Sequence, residues 1–200
     1  LGGNKPRQLL GLKETWCEEY LPYLVDNGFK CILIIRDPRD VVCSLNSGKG
    51  SEYGGRVRPL LYNIRTWRKS VAFSHSLEGN PNFMAVRYED LVRDPVKNLD
   101  RIFSFLKIES IDTSSLHENL KDQDGKRWSS NSSHNSYDYV SDASIGQHKE
   151  LLTKQRISFI EACCFPEMKS LGYHSDLKLE DLSNILNSFA DDYGQERPEL

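Results

Sequence analysis

Three side chains stand where a polar ligand could be gripped: Arg36 directly after the apolar run 29–35, Ser44 eight residues further on, and Tyr88 at the end of the run 83–88. A guanidinium is a planar fork of donors matched to phosphate oxygens, and a serine hydroxyl adds one more donor. A tyrosine in such a place can stack on a purine base while its hydroxyl stays in water. The chemistry these residues suit is the binding of a nucleotide phosphate. The same types also allow a plainer arrangement, with Arg36 paired to Asp37, Asp40 or Glu89, Ser44 facing solvent and Tyr88 serving as an amphipathic rim residue. Glu89 and Asp90 could act as a base, or cap the next segment and hold Arg87 in an ion pair.

The elements around these residues decide whether they can meet. The run 29–35, Phe-Lys-Cys-Ile-Leu-Ile-Ile, is short, apolar and β-branched, the pattern of a strand covered on both faces of a parallel sheet. Asp37 is placed to cap a helix, Pro38 fits its first position and Asp40 its first turn, which predicts a helix over 38–46. After Pro59, Leu60, Ile64, Trp67 and Val71 recur at spacings of four, three and four, predicting a long amphipathic helix that Gly79 ends. A second strand is expected over 83–88, and a helix with Leu99, Ile102, Phe103 and Leu106 on one face follows Asp94-Pro95. Ahead of all this, Trp16, Tyr20, Tyr23 and Leu24 predict a helix over 15–26, closed by Gly28 and opposed by Pro22. The order is that of an α/β fold, a parallel sheet flanked by helices. In such a sheet, ligands bind beyond the carboxyl ends of the strands, where helix N-termini turn free N–H groups outward.

Residues 47–58, with four glycines, and 122–144, rich in Ser, Asn, Asp and Gly, are expected loops. A helix is expected over 153–169 with a break or kink at Phe165-Pro166, and the division is a domain over 1–175 followed by a polar, partly disordered helical tail over 176–200. At 200 residues and 38% hydrophobic content there is material for one core. Twenty-six basic against 29 acidic side chains leave a net charge of −3, so nucleic acid is not an expected partner and any anion site must be local. No apolar run reaches the ~18 residues of a membrane segment. The cysteines at 17, 31, 43, 163 and 164 are odd in number and lack zinc or redox spacing, so reduced thiols are expected. The five histidines show no metal-ligand spacing, and no metal is expected. Gly48-Lys49-Gly50-Ser51 departs from the nucleotide phosphate-loop pattern, since that motif needs a Gly where Cys43 stands and Ser or Thr after its lysine.

The run Ile34-Ile35-Arg36-Asp37-Pro38-Arg39-Asp40-Val41-Val42-Cys43-Ser44-Leu45, followed by Val86-Arg87-Tyr88-Glu89-Asp90-Leu91-Val92-Arg93-Asp94-Pro95, resembles the PAPS-dependent sulfotransferase family. The likeness includes Gly11-Leu12-Lys13-Glu14, Ser144-Ile145-Gly146, Glu161-Ala162-Cys163-Cys164 and Leu171-Gly172-Tyr173, and so spans residues 10–175. It implies a P-loop nucleotide-kinase-like sulfotransferase fold. It also implies transfer of a sulfuryl group from the co-substrate 3′-phosphoadenosine 5′-phosphosulfate (PAPS) to a hydroxyl or amine of a small molecule or glycan. On that resemblance Arg36 and Ser44 hold the 3′-phosphate and Tyr88 approaches the adenine. Sulfuryl transfer, like phosphoryl transfer, passes through a loose in-line transition state served by cationic groups and a base, and requires no metal in this scheme.

The departures from the family pattern carry expectations of their own. The family's first strand and its Pro-Lys/Arg-Ser-Gly-Thr-Thr loop, which cradles the 5′-phosphosulfate, have no match here, which implies an N-terminal piece absent from this chain. Gly146-Gln147-His148-Lys149 stands where relatives often have Gly-Arg-Trp-Lys, which removes one charge and keeps Lys149. Catalytic residues are unassigned, with Glu14 the weak candidate for a base. The alternative is a non-catalytic nucleotide-binding or regulatory module. Of the compartments in which relatives work, the expectation is cytoplasmic, with the Golgi lumen as the alternative.

Overall fold

Cys31–Ile35 forms strand β1 and Phe83–Arg87 forms β2, paired in parallel with Ile35 opposite Arg87. Two parallel neighbours cannot be joined by a tight turn and need a crossover. Here the crossover carries α2, Pro38–Asn46, and α3, Leu60–Ser76. The computed structural model describes residues 10–15, 17–46, 58–109, 124–126 and 139–188. The Gly-rich stretch 47–57 and most of the Ser/Asn-rich stretch therefore lie outside the described residues, as does Phe189.

The N-terminal helix begins later than the periodicity predicts. A 3-10 turn, Glu18–Tyr20, leads into α1, Leu21–Asp26. Pro22 explains the late start, because its missing N–H is tolerated only in the first turn. Gly28 has φ +80, the left-handed conformation that ends the helix at little steric cost to glycine. The second strand is shorter than expected and Tyr88 is not part of it: pairing ends at Arg87 and α4, Tyr88–Arg93, starts at once. Next is α5, Pro95–Leu106, capped by the Asp94 carboxylate, which accepts the Lys97 N–H at 3.2 Å. A short α6, His148–Leu151, and the long α7, Lys154–Ser170, follow. Of the break or kink expected at Phe165-Pro166, the break does not occur. Pro166 lies on the exposed side of α7, and the helix runs through it to Ser170 while Cys164 and Met168 stay buried on the other face. In the tail, α8, Leu182–Ser188, sets Ile185 against the main core.

That core lies between α2, α3 and α7, over the carboxyl end of β1. Ile35, Val42, Ile64, Trp67, Ile160 and Met168 are all at most 6% exposed within it. A second cluster of Leu21, Val25, Cys31 and Leu77 closes the other end of the strand. The five cysteines are all free thiols. No helix among the described residues is long and apolar enough to cross a membrane.

One core residue works against stability. Asn63 on α3 is 1% exposed and neither polar atom of its amide has a hydrogen-bond partner among the described residues. Burying an unsatisfied amide is costly, and Asn63→Leu keeps the branching while removing it. The variant is expected to be about 1 kcal/mol more stable, read as a higher urea midpoint at unchanged slope. A lower midpoint would mean that the amide is satisfied in solution.

Candidate functional site

The carboxyl edge of the sheet delivers Arg36 and Tyr88 to each other. Since Ile35 pairs with Arg87, the next residue on each strand leaves the sheet side by side, and the Arg36 guanidinium lies 4.7 Å from the centre of the Tyr88 ring. An arginine held over an aromatic face is attracted by the ring quadrupole and keeps its donors available at its edge. One of those donors meets the Ser144 carbonyl, and the Tyr88 hydroxyl shares a hydrogen bond of 2.8 Å with the Ser144 Oγ. The backbone is fixed from below, where Trp67 Nε1 donates to the Arg36 carbonyl at 2.8 Å. The Arg36 side chain is 16% exposed and its Nε is buried with no acceptor among the described residues.

Spacing along α2 sets the rest of the site. Asp40 and Ser44 lie one turn apart on α2, and Arg36 comes just before the helix and its Asp37 cap. Asp40 Oδ2 is 4.0 Å from the Arg36 guanidinium, too long for a hydrogen bond, because both carboxylate oxygens are already engaged. Oδ2 accepts the Gly146 N–H at 2.7 Å, and Oδ1 accepts the His148 N–H at 3.0 Å and the His148 Nδ1–H at 2.7 Å. Gly146 has φ +80, which turns the chain so that N–H groups two residues apart point at one carboxylate. Burial alone would raise the Asp40 carboxyl, but these hydrogen bonds, the His148 ring first, outweigh it and hold it below the usual carboxylate range. Ser44 is half-buried one turn beyond Asp40 and makes no side-chain hydrogen bond among the described residues.

Two buried clusters brace this edge. Arg39 forks onto Asp37, with Nε to Oδ1 at 2.9 Å and the second amino group to Oδ2 at 2.6 Å, and reaches Glu161 of α7 at 2.5 Å. Asp37 also accepts the Arg39 N–H at 2.9 Å, the helix cap that the sequence predicts. On the other side, Glu89 Oε1 accepts the Asp37 N–H at 2.8 Å and Oε2 accepts the Tyr173 hydroxyl at 3.0 Å, beneath an Arg87 guanidinium 4.6 Å from the Tyr173 ring. Burial first, and Glu89 second, push the Tyr173 hydroxyl well above its ordinary value. Burial likewise pushes the Cys43 thiol up to about 11, leaving it protonated and no nucleophile.

Of the residues singled out in the sequence, Arg36 and Tyr88 are in contact, and Ser44 lies on α2 one turn beyond Asp40. The plainer arrangement for Arg36 is met in part: Asp40 is near, whereas Asp37 belongs to Arg39 and Glu89 to Tyr173 and the Asp37 N–H. Glu89 thus fastens the start of α2 instead of capping its own segment, and Arg87 stands 4.0 Å from both Glu89 and Asp90. Glu14 is exposed ahead of the 3-10 turn. The sequence reading missed Asp40 and His148 as partners. The one available signal was the motif Gly146-Gln147-His148-Lys149, which places a histidine two residues after a glycine. Among the described residues no group of three or more His, Cys, Asp or Glu side chains is disposed to hold a metal ion.

A family model described as a sulfotransferase domain matches residues 17–172. Carbohydrate sulfotransferase 2 of Mus musculus and that of Homo sapiens are each 32% identical to the chain over 113 residues, 52% of this chain and 20% of theirs. The chain thus spans about a fifth of the length of the curated relatives it matches. Among solved structures, a sulfotransferase domain from the curacin biosynthetic pathway superposes with a TM-score of 0.54 at 17% identity, covering 78% of this chain and 60% of that one. That likeness shows an α/β fold shared with a sulfotransferase domain.

Proposed function

From the premise that this chain belongs to the sulfotransferase domain family, we propose that it serves transfer of a sulfuryl group from PAPS to a carbohydrate acceptor. Arg36 and Ser44 grip the 3′-phosphate, and Tyr88, with the guanidinium over its ring, borders the adenine. The observation that carries this reading is the Arg36 guanidinium, set over the Tyr88 ring at the carboxyl edge of β1 with its Nε lacking an acceptor among the described residues. A buried charged donor left unmatched is costly, and a phosphate oxygen is the acceptor that suits a guanidinium fork.

The grip is remote from the migrating sulfuryl group, so its contribution is alignment: binding energy gathered at the 3′-phosphate holds the reacting end in line with the acceptor. A base takes the acceptor hydroxyl proton as the S–O bond to the donor phosphate breaks and a bond to the acceptor oxygen forms. The carbohydrate part of the reading is supported by the named activity of the two curated relatives. A carbohydrate acceptor goes with the Golgi lumen, the second of the two compartments that the resemblance allows.

The test compares adenosine 3′,5′-bisphosphate with adenosine 5′-monophosphate as ligands of the chain in thermal denaturation. A ligand that binds only the folded state raises Tm in proportion to the logarithm of its concentration over Kd. The bisphosphate is expected to raise Tm and the monophosphate to do so far less. Equal shifts, or none, would overturn the phosphate-site reading.

A further inference from the structure

We propose that Asp40 and His148 form a latch that positions the Arg36 guanidinium for the 3′-phosphate. This rests on the nucleotide reading above and assigns the positioning of its site. Asp40 is 1% exposed and His148 5% exposed, and the pair lies 108 residues apart in sequence. The segment from Ser144 to His148 makes five polar contacts with this edge, three of them to α2. The Ser144 carbonyl takes an Arg36 donor, the Ser144 hydroxyl meets Tyr88, and the Gly146 N–H, His148 N–H and His148 Nδ1–H all end on Asp40.

Two consequences for Arg36 follow from this geometry. Arg36, just ahead of α2, and Asp40 in its first turn are near enough to close a direct ion pair, which would draw the guanidinium down onto α2. Here the carboxylate is filled by the segment from Ser144 to His148, and the guanidinium stops at 4.0 Å from it. The same segment brings the Ser144 carbonyl and hydroxyl to the outer side, where they hold the guanidinium and the Tyr88 ring together. His148 is therefore a positioning residue: buried at 5% exposed, it acts through Asp40 and Ser144 on Arg36, the residue that meets the phosphate in this reading. Because Asp40 is ionised, the bonded Nδ1 carries the hydrogen, and that nitrogen is the one the latch needs.

Isosteric substitution separates this from a merely structural role. His148→Asn places an amide donor near the Nδ1 position, His148→Gln places it near Nε2, and His148→Phe keeps the ring without a donor. Binding of adenosine 3′,5′-bisphosphate and of adenosine 5′-monophosphate is measured by calorimetry, together with amide hydrogen exchange at Gly146 and His148. His148→Asn is expected to bind the bisphosphate within about threefold of the wild type, while His148→Gln and His148→Phe weaken it by about tenfold with the monophosphate unchanged. In the two weakened variants the position 146 and 148 amides should exchange faster than in the wild type and in His148→Asn. Bisphosphate affinity equal to wild type in a folded His148→Phe or His148→Gln protein overturns the latch and leaves the nucleotide reading standing. Weakening of both nucleotides alike overturns it too, since that marks general loosening. Absence of any bisphosphate preference in the wild type overturns the nucleotide reading, and the latch's role with it.

Discussion

Arg36→Ala is expected to weaken adenosine 3′,5′-bisphosphate binding by about 1.5–3 kcal/mol, roughly 10- to 150-fold, while adenosine 5′-monophosphate binding changes little. The asymmetry is the substance of the prediction. Arg36 stands at the carboxyl end of β1, over the Tyr88 ring, with one donor on the Ser144 carbonyl and a buried Nε still unmatched. Its loss removes a charge-assisted bond to the phosphate that only the bisphosphate possesses, so the preference between the two ligands should collapse. Arg36→Lys keeps the charge but not the fork, and should fall between the alanine variant and the wild type. Stability should change less than affinity, because the packing that fixes this segment runs through the backbone carbonyl to Trp67, which neither substitution touches. In turnover, the effect belongs mainly in KM for the donor, since the 3′-phosphate is held in ground and transition states alike. An Arg36→Ala protein that keeps the bisphosphate preference would show that the phosphate lies elsewhere.

Much of this edge was legible because its determinants are local. Asp37-Pro38 announces a helix start directly after an apolar run, and the structure has β1 ending at Ile35 and α2 beginning at Pro38. The spacing of Leu60, Ile64, Trp67 and Val71 likewise marks the face of α3 that is buried. What stayed hidden was the choice among partners. Arg36 and Arg39 are both within reach of Asp37 and Asp40 in sequence, and only the packing of α7 against α2, which brings Glu161 to Arg39, decides which arginine is neutralised. The Asp40 contacts were hidden for the same reason, since a helix carboxylate cannot announce a partner 108 residues away. Tyr88 was assigned to the strand by its apolar run, but strand length is set by pairing, and pairing stops at Arg87. Pro166 was expected to break or kink α7, yet the helix continues through it, since the cost of one missing hydrogen bond on the exposed side is outweighed by the burial of Ile160, Cys164 and Met168 on the other.

The neighbouring arginine should behave in the opposite way. Arg39→Met is expected to cost about 3–5 kcal/mol of folding stability, because it removes one partner from a buried ion cluster and leaves Asp37 and Glu161 charged and uncompensated. The Arg39 side chain is 10% exposed, Asp37 9% and Glu161 5%, so water cannot take over the lost bonds cheaply. Burial by itself would lower the Arg39 pKa, but Asp37 and Glu161 raise it above its ordinary value, so the cation is never the form that gives way. Glu161 also accepts the Ser175 hydroxyl at 3.0 Å, which ties the chain after α7 into the same cluster and extends the damage beyond α2. Adding Glu161→Met to Arg39→Met removes one of the two orphaned carboxylates and should recover part of the loss, a sign that uncompensated charge and not lost packing is the cause. Urea denaturation of the three proteins reads this directly; a single variant within about 1 kcal/mol of wild type would mean that the cluster is hydrated and contributes little. Three of the five N–H donors of Arg39 are spent on carboxylates, and Asp37 and Glu161 already balance its charge. A folded Arg39→Met protein should therefore keep its preference for the bisphosphate, and loss of that preference would exchange the roles of the two arginines.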